Sequence, residues 1–422
     1  MNEQFLYYIW QYHLQGRTLA SVSGEEIVII KPGYRNNDAG PDFTEALVKV
    51  GTEVWAGNLE IHLKTSDWYK HHHELDQQYA SLILHVVYEN DLPGREPTSC
   101  PTLVLKPYVD TRLWQVYQGF LLSQDWIPCA RGFNKVFPVV VHSMLERAMI
   151  DRMERKVGEI QRLLNITRNN LHECFYIAMA RSFGQKTNAQ AFEILARTTP
   201  LHILARYSHS FFQVEALLFG QSGLISEKRV DEYHDRLYAE YKFLKAKHHL
   251  VAALHIPWKF MRMHPLGFPT VRLAQFAALI HQSSGLLQKL LNSRDVQEMQ
   301  KMLSCQASEY WNTHYRFGET SAPRTKATGN DFMNSIIINA VIPFKWIDAR
   351  MRGDESGPEQ ALKLLYELPP ENNAIVRGWA KLGYNARDAF ASQSLLELKN
   401  RYCAFRRCLD CKIGHSLLKM QV

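Results

Sequence analysis

The stretch GPDFTEALVKVGTEVWAGNLEIHLKTSDWYKHHHELD, residues 40–76, decides how the first part of this chain is read. Within it FTEALVKV and VWAGNLEIHLK have the apolar–polar alternation of strands, and GTE between them reads as a hairpin turn. Residues two apart in a strand share a face. Glu60, His62 and Lys64 therefore point one way, and Leu59, Ile61 and Leu63 point into the opposite apolar layer. Asp42 opens the preceding strand, so pairing the two strands sets its carboxyl beside the second. The expectation is one water-accessible pocket where two carboxylates and an imidazole converge, with an ammonium next to them. Hard divalent cations such as Mg²⁺ take oxygen ligands. Such an ion lowers the pKa of a bound water, and a nearby lysine stabilises charge on a phosphate. This inventory suits phosphodiester hydrolysis.

Working outward, EQFLYYIWQYHL upstream has helical spacing at Phe5, Leu6, Ile9, Trp10 and His13, and EEIVIIKPG is a short β-rich run. Downstream, DWYKHHHELDQQYAS reads as a helix capped by Asp67, and LILHVVYEND as a strand buried on both faces. TLVLKPYV supplies one further strand. The predicted order is α-β-β-β-α-β with an extra strand, over residues 1–125.

From residue 126 to 422 the texture is helical, beginning with the amphipathic run HSMLERAMIDRMERKVGEIQRLLN. The loop-like RFGETSAPRTKATGND, residues 316–331, either subdivides this region or forms a mobile basic loop.

The 422 residues carry a formal charge of +7, which permits a polyanionic partner without demanding one. The N-terminus lacks the basic start and apolar core of a signal peptide, and no window reaches 18 uninterrupted apolar residues. These features predict a cytoplasmic protein with no membrane span. Seven cysteines is too few and too odd a number for a secreted disulfide framework.

Asp42 preceded by Pro41, then Glu60-Ile61-His62-Leu63-Lys64 within the α-β-β-β-α-β order, resembles the PD-(D/E)XK nuclease superfamily. The resemblance covers about the first quarter of the chain. It implies a restriction-endonuclease-like αβββαβ core ahead of a large all-α region, with Asp42 as a metal ligand and Lys64 as the catalytic lysine. In the superfamily the acidic residue stands two before the lysine, where this chain has His62. Either His62 replaces that ligand, or Glu60 is the ligand and His62 stands for the lysine. A composite assigns Asp42 and Glu60 to Mg²⁺ or Mn²⁺ and Lys64 and His62 to catalysis. The implied function is metal-dependent cleavage of DNA or RNA. The alternative is a catalytically inactive nucleic-acid-binding or scaffold protein. The whole chain also resembles an uncharacterised bacterial family, a domain of unknown function, through AGPDF, GNLEIHLKTSDWYKHHH, ILHVVYEND, EALLFGQSGLI and RLAQFAALI.

Other residues extend this reading. Arg35 and Asn37 precede Asp42 in a polar segment and serve either phosphate contacts or turns. Lys186, Arg324, Lys326 and the basic helix from Arg147 to Lys156 are candidates for tracking a phosphate backbone. Of His71, His72 and His73, helical spacing lets one reach the site, because neighbours are about 100° apart. His85 reads as a core histidine. Near the C-terminus, Cys403, Cys408, Cys411 and His415 have the inventory for structural Zn²⁺. The superfamily resemblance adds an iron–sulfur cluster as a second option, since some of its nucleases carry one on cysteines far along the chain.

Overall fold

The computed structural model describes residues 1–36, 38–253 and 255–420. Two compact units emerge: Met1–Met144 with Leu398–Val422, and Leu145–Glu397. The boundary expected at 125 thus falls inside the first unit, and the C-terminal segment returns to that unit. Among the described residues no helix is long and apolar enough to cross a membrane.

The first unit starts with helix α1 (Glu3–Tyr12), capped by the Asn2 side chain, which accepts from Phe5 N at 3.0 Å. Phe5, Leu6, Ile9 and Trp10 are buried, as their spacing predicts. Then come β1 (Thr18–Ala20), β2 (Glu26–Lys31), β3 (Tyr34–Arg35), β4 (Phe43–Val50), β5 (Glu53–Lys64), α2 (Thr65–Lys70), β6 (Leu82–Glu89), β7 (Thr102–Val104) and α3 (Thr111–Leu122). The strands form one mixed sheet in the order β1-β2-β4-β5-β6-β7, with β3 also on β4. The pairs β1–β2, β2–β4, β3–β4 and β4–β5 are antiparallel, whereas β5–β6 and β6–β7 are parallel. The coarse pattern of helix, antiparallel strands, helix and strand matches the sequence, with the very short β1 and β3 added. Strand β6 lies between two parallel neighbours, and Leu82 through Val87 are all buried.

Two details of the sheet set up the site. The β4–β5 register shifts between Phe43 and Ala46, where Glu45 has φ +54°, a bulge beside the Asp42 end of β4. The parallel β5–β6 register puts Glu60 opposite His85 and His62 opposite Val87.

The second unit is built from helices. It includes most of α4 (Pro138–Ile166), then α5 (Leu171–Thr198), α6 (Leu201–Arg206), α7 (Phe211–Gln221), α8 (Glu232–His248) and α9 (Pro269–Gln282). Every residue of α7 from Val214 to Gln221 is buried. A Cβ at Gly220 would fall 2.0 Å from the Tyr241 ring, so glycine is what lets α8 press onto α7. Glu215 lies in this core. Its Oε1 accepts from Trp311 Nε1 (3.0 Å) and Ser308 Oγ (3.1 Å), and its Oε2 from Tyr233 Oη (2.5 Å). Burial pushes this carboxyl up to about 7, against the opposing pull of the three donors.

Residues 316–331 are not a free basic loop. A small hairpin of β8 (His314–Arg316) and β9 (Glu319–Thr320) opens the segment. Lys326 is fully buried, with Nζ donating to the carbonyls of Asn312 and Arg324 and lying 4.0 Å from the Tyr315 ring centroid. The basic face of α4 is likewise largely committed inside the unit. Arg152 is buried and donates to Asn339 Oδ1, Arg155 pairs with Glu397 and Glu159, and Lys156 pairs with Glu159. An amphipathic pattern does not distinguish a phosphate-tracking face from one that meets neighbouring carboxylates.

Candidate metal centre

Asp42 and Glu60 come together as the hairpin reading expects. Asp42 N donates to Glu60 Oε2 at 3.0 Å, and Asp42 Oδ2 accepts from Ile61 N at 2.9 Å. Tyr7 of α1 donates to Asp42 Oδ1 at 2.8 Å. Both oxygens of Asp42 thus hold α1, β4 and β5 together, and Asp42 stands behind Glu60.

Glu60 and His62 are buried, at 6% and 1% exposure. Glu60 Oε1 lies 3.6 Å from His62 Nε2 and 3.5 Å from His73 Nε2. The nearest ligand atoms of His62, His71 and His73 lie within 4.8 Å of one another. His62 Nε2 and His71 Nδ1 are 3.3 Å apart, and His62 Nδ1 is 3.1 Å from His85 Nε2. His71 is exposed and His73 half-buried, so the group is open to solvent on that side.

The sequence missed this convergence because it carried the helix through all three histidines. Helix α2 stops at Lys70, His71 is its C-cap, and His72 is left-handed at φ +59°, ψ +31°. That turn sends His72 outward, with 75% of its side chain exposed, and swings His73 back against His62 with ring centroids 5.2 Å apart. Tyr79 stacks on His73 at 3.8 Å. Asp67 caps α2 from inside its first turn, accepting from Lys64 N at 3.0 Å, while Lys64 holds the cap position itself. His85 is a core histidine, as read from the sequence, and it is also the outer neighbour of His62.

The electrostatics fit a cation site. Burial, then the Asp42 charge, pushes the Glu60 carboxyl up to about 8. Burial also raises Asp42, and burial and the Asp42 charge raise Glu3 of α1, which the His71 charge pulls down. Burial followed by the charges of His85, His73 and His71 drives His62 down to about 2. Burial, followed by the charge of His73, lowers His85 to about 4. His62 and His85 are therefore neutral at physiological pH, the form in which an imidazole binds a metal. Two nitrogens bound at 2.0–2.1 Å in tetrahedral geometry stand roughly 3.3 Å apart, the spacing seen between His62 and His71. His73 Nε2 and His85 Nδ1 are buried without a hydrogen-bond partner. An imidazole that ligates through Nε2 commonly donates its Nδ1–H to an outer acceptor, the role His85 Nε2 offers His62. Glu60, His62, His71 and His73 thus form a donor set suited to a transition metal, with Asp42, Tyr7 and His85 around it.

Lys64 follows two residues after His62. It ends β5, is exposed, stands opposite Glu89 in the register, and exerts its charge on Glu89 and Asp91. Arg35 is anchored near Asp42: it donates to Gln4 Oε1 at 2.7 Å, lies over the Tyr7 ring at 4.9 Å, and its charge partly opposes the burial that raises the Asp42 carboxyl. Asn36 serves the turn, its side chain donating to the carbonyls of Ala39 and Pro41, and Asn37 lies outside the described residues. Lys186 and Arg324 are exposed in the second unit. Near the C-terminus, His415 Nε2 bonds the Leu409 carbonyl and its ring lies edge-on to Tyr8 and Tyr12.

No curated protein and no solved structure matched the chain. A family model did, described as "Protein of unknown function (DUF2851)", over residues 3–374. With nearly all of its length spanned by that match, the chain belongs to the DUF2851 family.

Proposed function

We propose that the protein is a metal-dependent nuclease that hydrolyses phosphodiester bonds in DNA or RNA at the site built by Glu60, His62, His71 and His73. The observation that carries this reading is the approach of three imidazole nitrogens to within 4.8 Å of one another, with the Glu60 carboxylate 3.5–3.6 Å from two of them. The resemblance of Pro41-Asp42 and Glu60-x-His62 to the PD-(D/E)XK pattern supports nucleic acid as substrate. On this reading Glu60 is the acidic ligand and His62 takes the place of the lysine.

A bound divalent ion supplies Lewis acidity toward the phosphate and an activated water. Imidazole donors favour zinc or ferrous iron over the Mg²⁺ that carboxylates alone would select, with Mn²⁺ between them. Glu60 and the three histidines hold the ion. Asp42 fixes Glu60 through its own backbone amide, and Tyr7 and Ile61 N fix Asp42. Arg35, steadied by Gln4, is placed to meet a phosphate of the substrate.

Purified protein is to be incubated with single-stranded, duplex and branched DNA and with RNA, in Mn²⁺, Zn²⁺, Fe²⁺ or Mg²⁺. Cleavage that disappears in Glu60→Gln and in His73→Ala, with metal-free melting retained, supports the reading. Absence of cleavage of every substrate with every metal overturns it.

The exposed Lys64, whose charge acts on Glu89 and Asp91, favours a second reading: an inactive nucleic-acid-binding scaffold on the same core. Salt-sensitive nucleic-acid binding without cleavage would select it.

A further inference from the structure

Four cysteines meet in the first unit, and one of them is not in the C-terminal motif. Cys129 immediately precedes the 3₁₀ turn Ala130–Lys135, and Cys403 ends the helical turn Leu398–Cys403. Cys408 begins the 3₁₀ turn Cys408–Asp410, and Cys411 caps the C-terminal helix Lys412–Lys419. That helix packs on both 3₁₀ turns, and the turn carrying Cys403 packs on the one carrying Cys408. Each sulfur therefore sits at an end of one of four elements packed on one another. No disulfide joins them.

The backbone around them is shaped as a knuckle. Cys411 N donates to the Cys408 carbonyl at 3.3 Å, and Arg406 is left-handed at φ +52° just before it. A Cβ at Gly414 would fall 2.1 Å from the Cys408 carbonyl oxygen, so glycine is what lets the helix close on the knuckle. Cys129, Cys408 and Cys411 are buried. Arg406 donates from its guanidinium to the Ser123 carbonyl at 3.0 Å, while its Nε is buried without an acceptor. Burial and the neighbouring Cys411 push the Cys129 thiol up to about 12, and burial with the other cysteines raises Cys403 and Cys408. Thiols so placed stay neutral unless a cation stabilises their thiolates.

We propose that Cys129, Cys403, Cys408 and Cys411 ligate an iron–sulfur cluster, with Cys129 as the fourth ligand in place of His415. His415 is engaged by the Leu409 carbonyl and by two tyrosine rings on α1. A single tetrahedral zinc would hold sulfurs roughly 3.8 Å apart, from its 2.3 Å bonds. Among the described residues, the histidine trio is the group of potential ligand atoms found within 4.8 Å of one another, so no three of these sulfurs are that close. A [4Fe–4S] cluster spreads its thiolates wider, because in it each cysteine binds a different iron. The unpartnered Arg406 Nε–H is a donor for a cluster or cysteine sulfur, the kind of hydrogen bond that tunes such centres.

The full chain, expressed with iron supplied and purified without oxygen, is to be assayed for iron, acid-labile sulfide and zinc, and for visible charge-transfer absorption. Iron and sulfide are expected together, lost as fully in Cys129→Ser as in Cys411→Ser and retained in His415→Ala. A second measurement does not depend on the variants folding. In the native wild type, all four cysteines are shielded from alkylation and become reactive together once iron is chelated. Zinc in place of iron, iron retained in Cys129→Ser, iron lost in His415→Ala, or alkylation unaffected by chelation overturns the proposal.

Discussion

Glu60 and Glu215 are both buried carboxyls pushed well above the usual carboxylate range, to about 8 and about 7, yet their surroundings are opposite. Glu215 in the helical unit is saturated by Trp311, Ser308 and Tyr233, three donors on two oxygens. Glu60 faces imidazoles at 3.5–3.6 Å, beyond hydrogen-bonding distance, with an unpartnered nitrogen on His73 and like charge from Asp42. A raised carboxyl alone therefore does not mark a site. The mark is a set of donors that satisfy one another poorly and would satisfy a cation well.

The largest expected effect breaks the satisfied side. Glu215→Ala leaves the buried Trp311 Nε1 without its acceptor and takes one partner each from Tyr233 and Ser308, which keep their bond to each other, so with the cavity left behind the second unit loses roughly 3–5 kcal/mol. Glu60→Gln, by contrast, leaves metal-free stability nearly unchanged, because a carboxyl raised to about 8 is already mostly uncharged near neutral pH and an amide oxygen can keep the bond from Asp42 N. Urea denaturation of the metal-free variants compares the two.

Next comes pH. With the Glu215 carboxyl raised by folding from 4.5 to about 7, the folded state binds more protons across that interval. Its contribution is full below pH 4.5 and is lost as pH rises to about 7, a change of about 3 kcal/mol. Glu215→Gln mimics the protonated form and removes that slope. Unfolding free energies of wild type and variant at pH 5 and pH 8 test the sign.

On the unsatisfied side, a metal at 100 times its dissociation constant raises wild-type stability by about 2.7 kcal/mol. In His71→Ala/His73→Ala that gain disappears, as calorimetric metal titration and thermal melting would show. The smallest effect is expected at His85. It orients His62 without being a ligand in our assignment, so His85→Ala weakens metal binding roughly 10–100-fold. A loss as complete as that of the double variant would instead place His85 among the ligands.

The sequence made parts of this contrast legible. Strand periodicity placed Glu60 and His62 on one face and brought Asp42 beside them, because strand geometry is set by local pattern. Lys64 obeyed the same period, but a helix cap took it at the end of β5. The convergence of His71 and His73 depends on one left-handed residue, His72, and nothing in a run of three histidines announces where a helix gives way. Cys129 escaped notice for another reason. Its neighbours are reached only through the return of the C-terminal segment to the first unit, a tertiary event no local pattern encodes.

That return has a consequence for how the molecule is made. The first unit needs residues from Leu398 onward, whereas the second is complete once Glu397 has been added. Domains form during synthesis as their chains emerge. The unit whose residues come first is thus the later of the two to finish folding. Until the residues from Leu398 onward have been made, the sheet, complete in its strands by Val104, must wait with Cys129 lacking its neighbours. A nascent chain stalled before that point would offer chaperones this unit rather than the helical one.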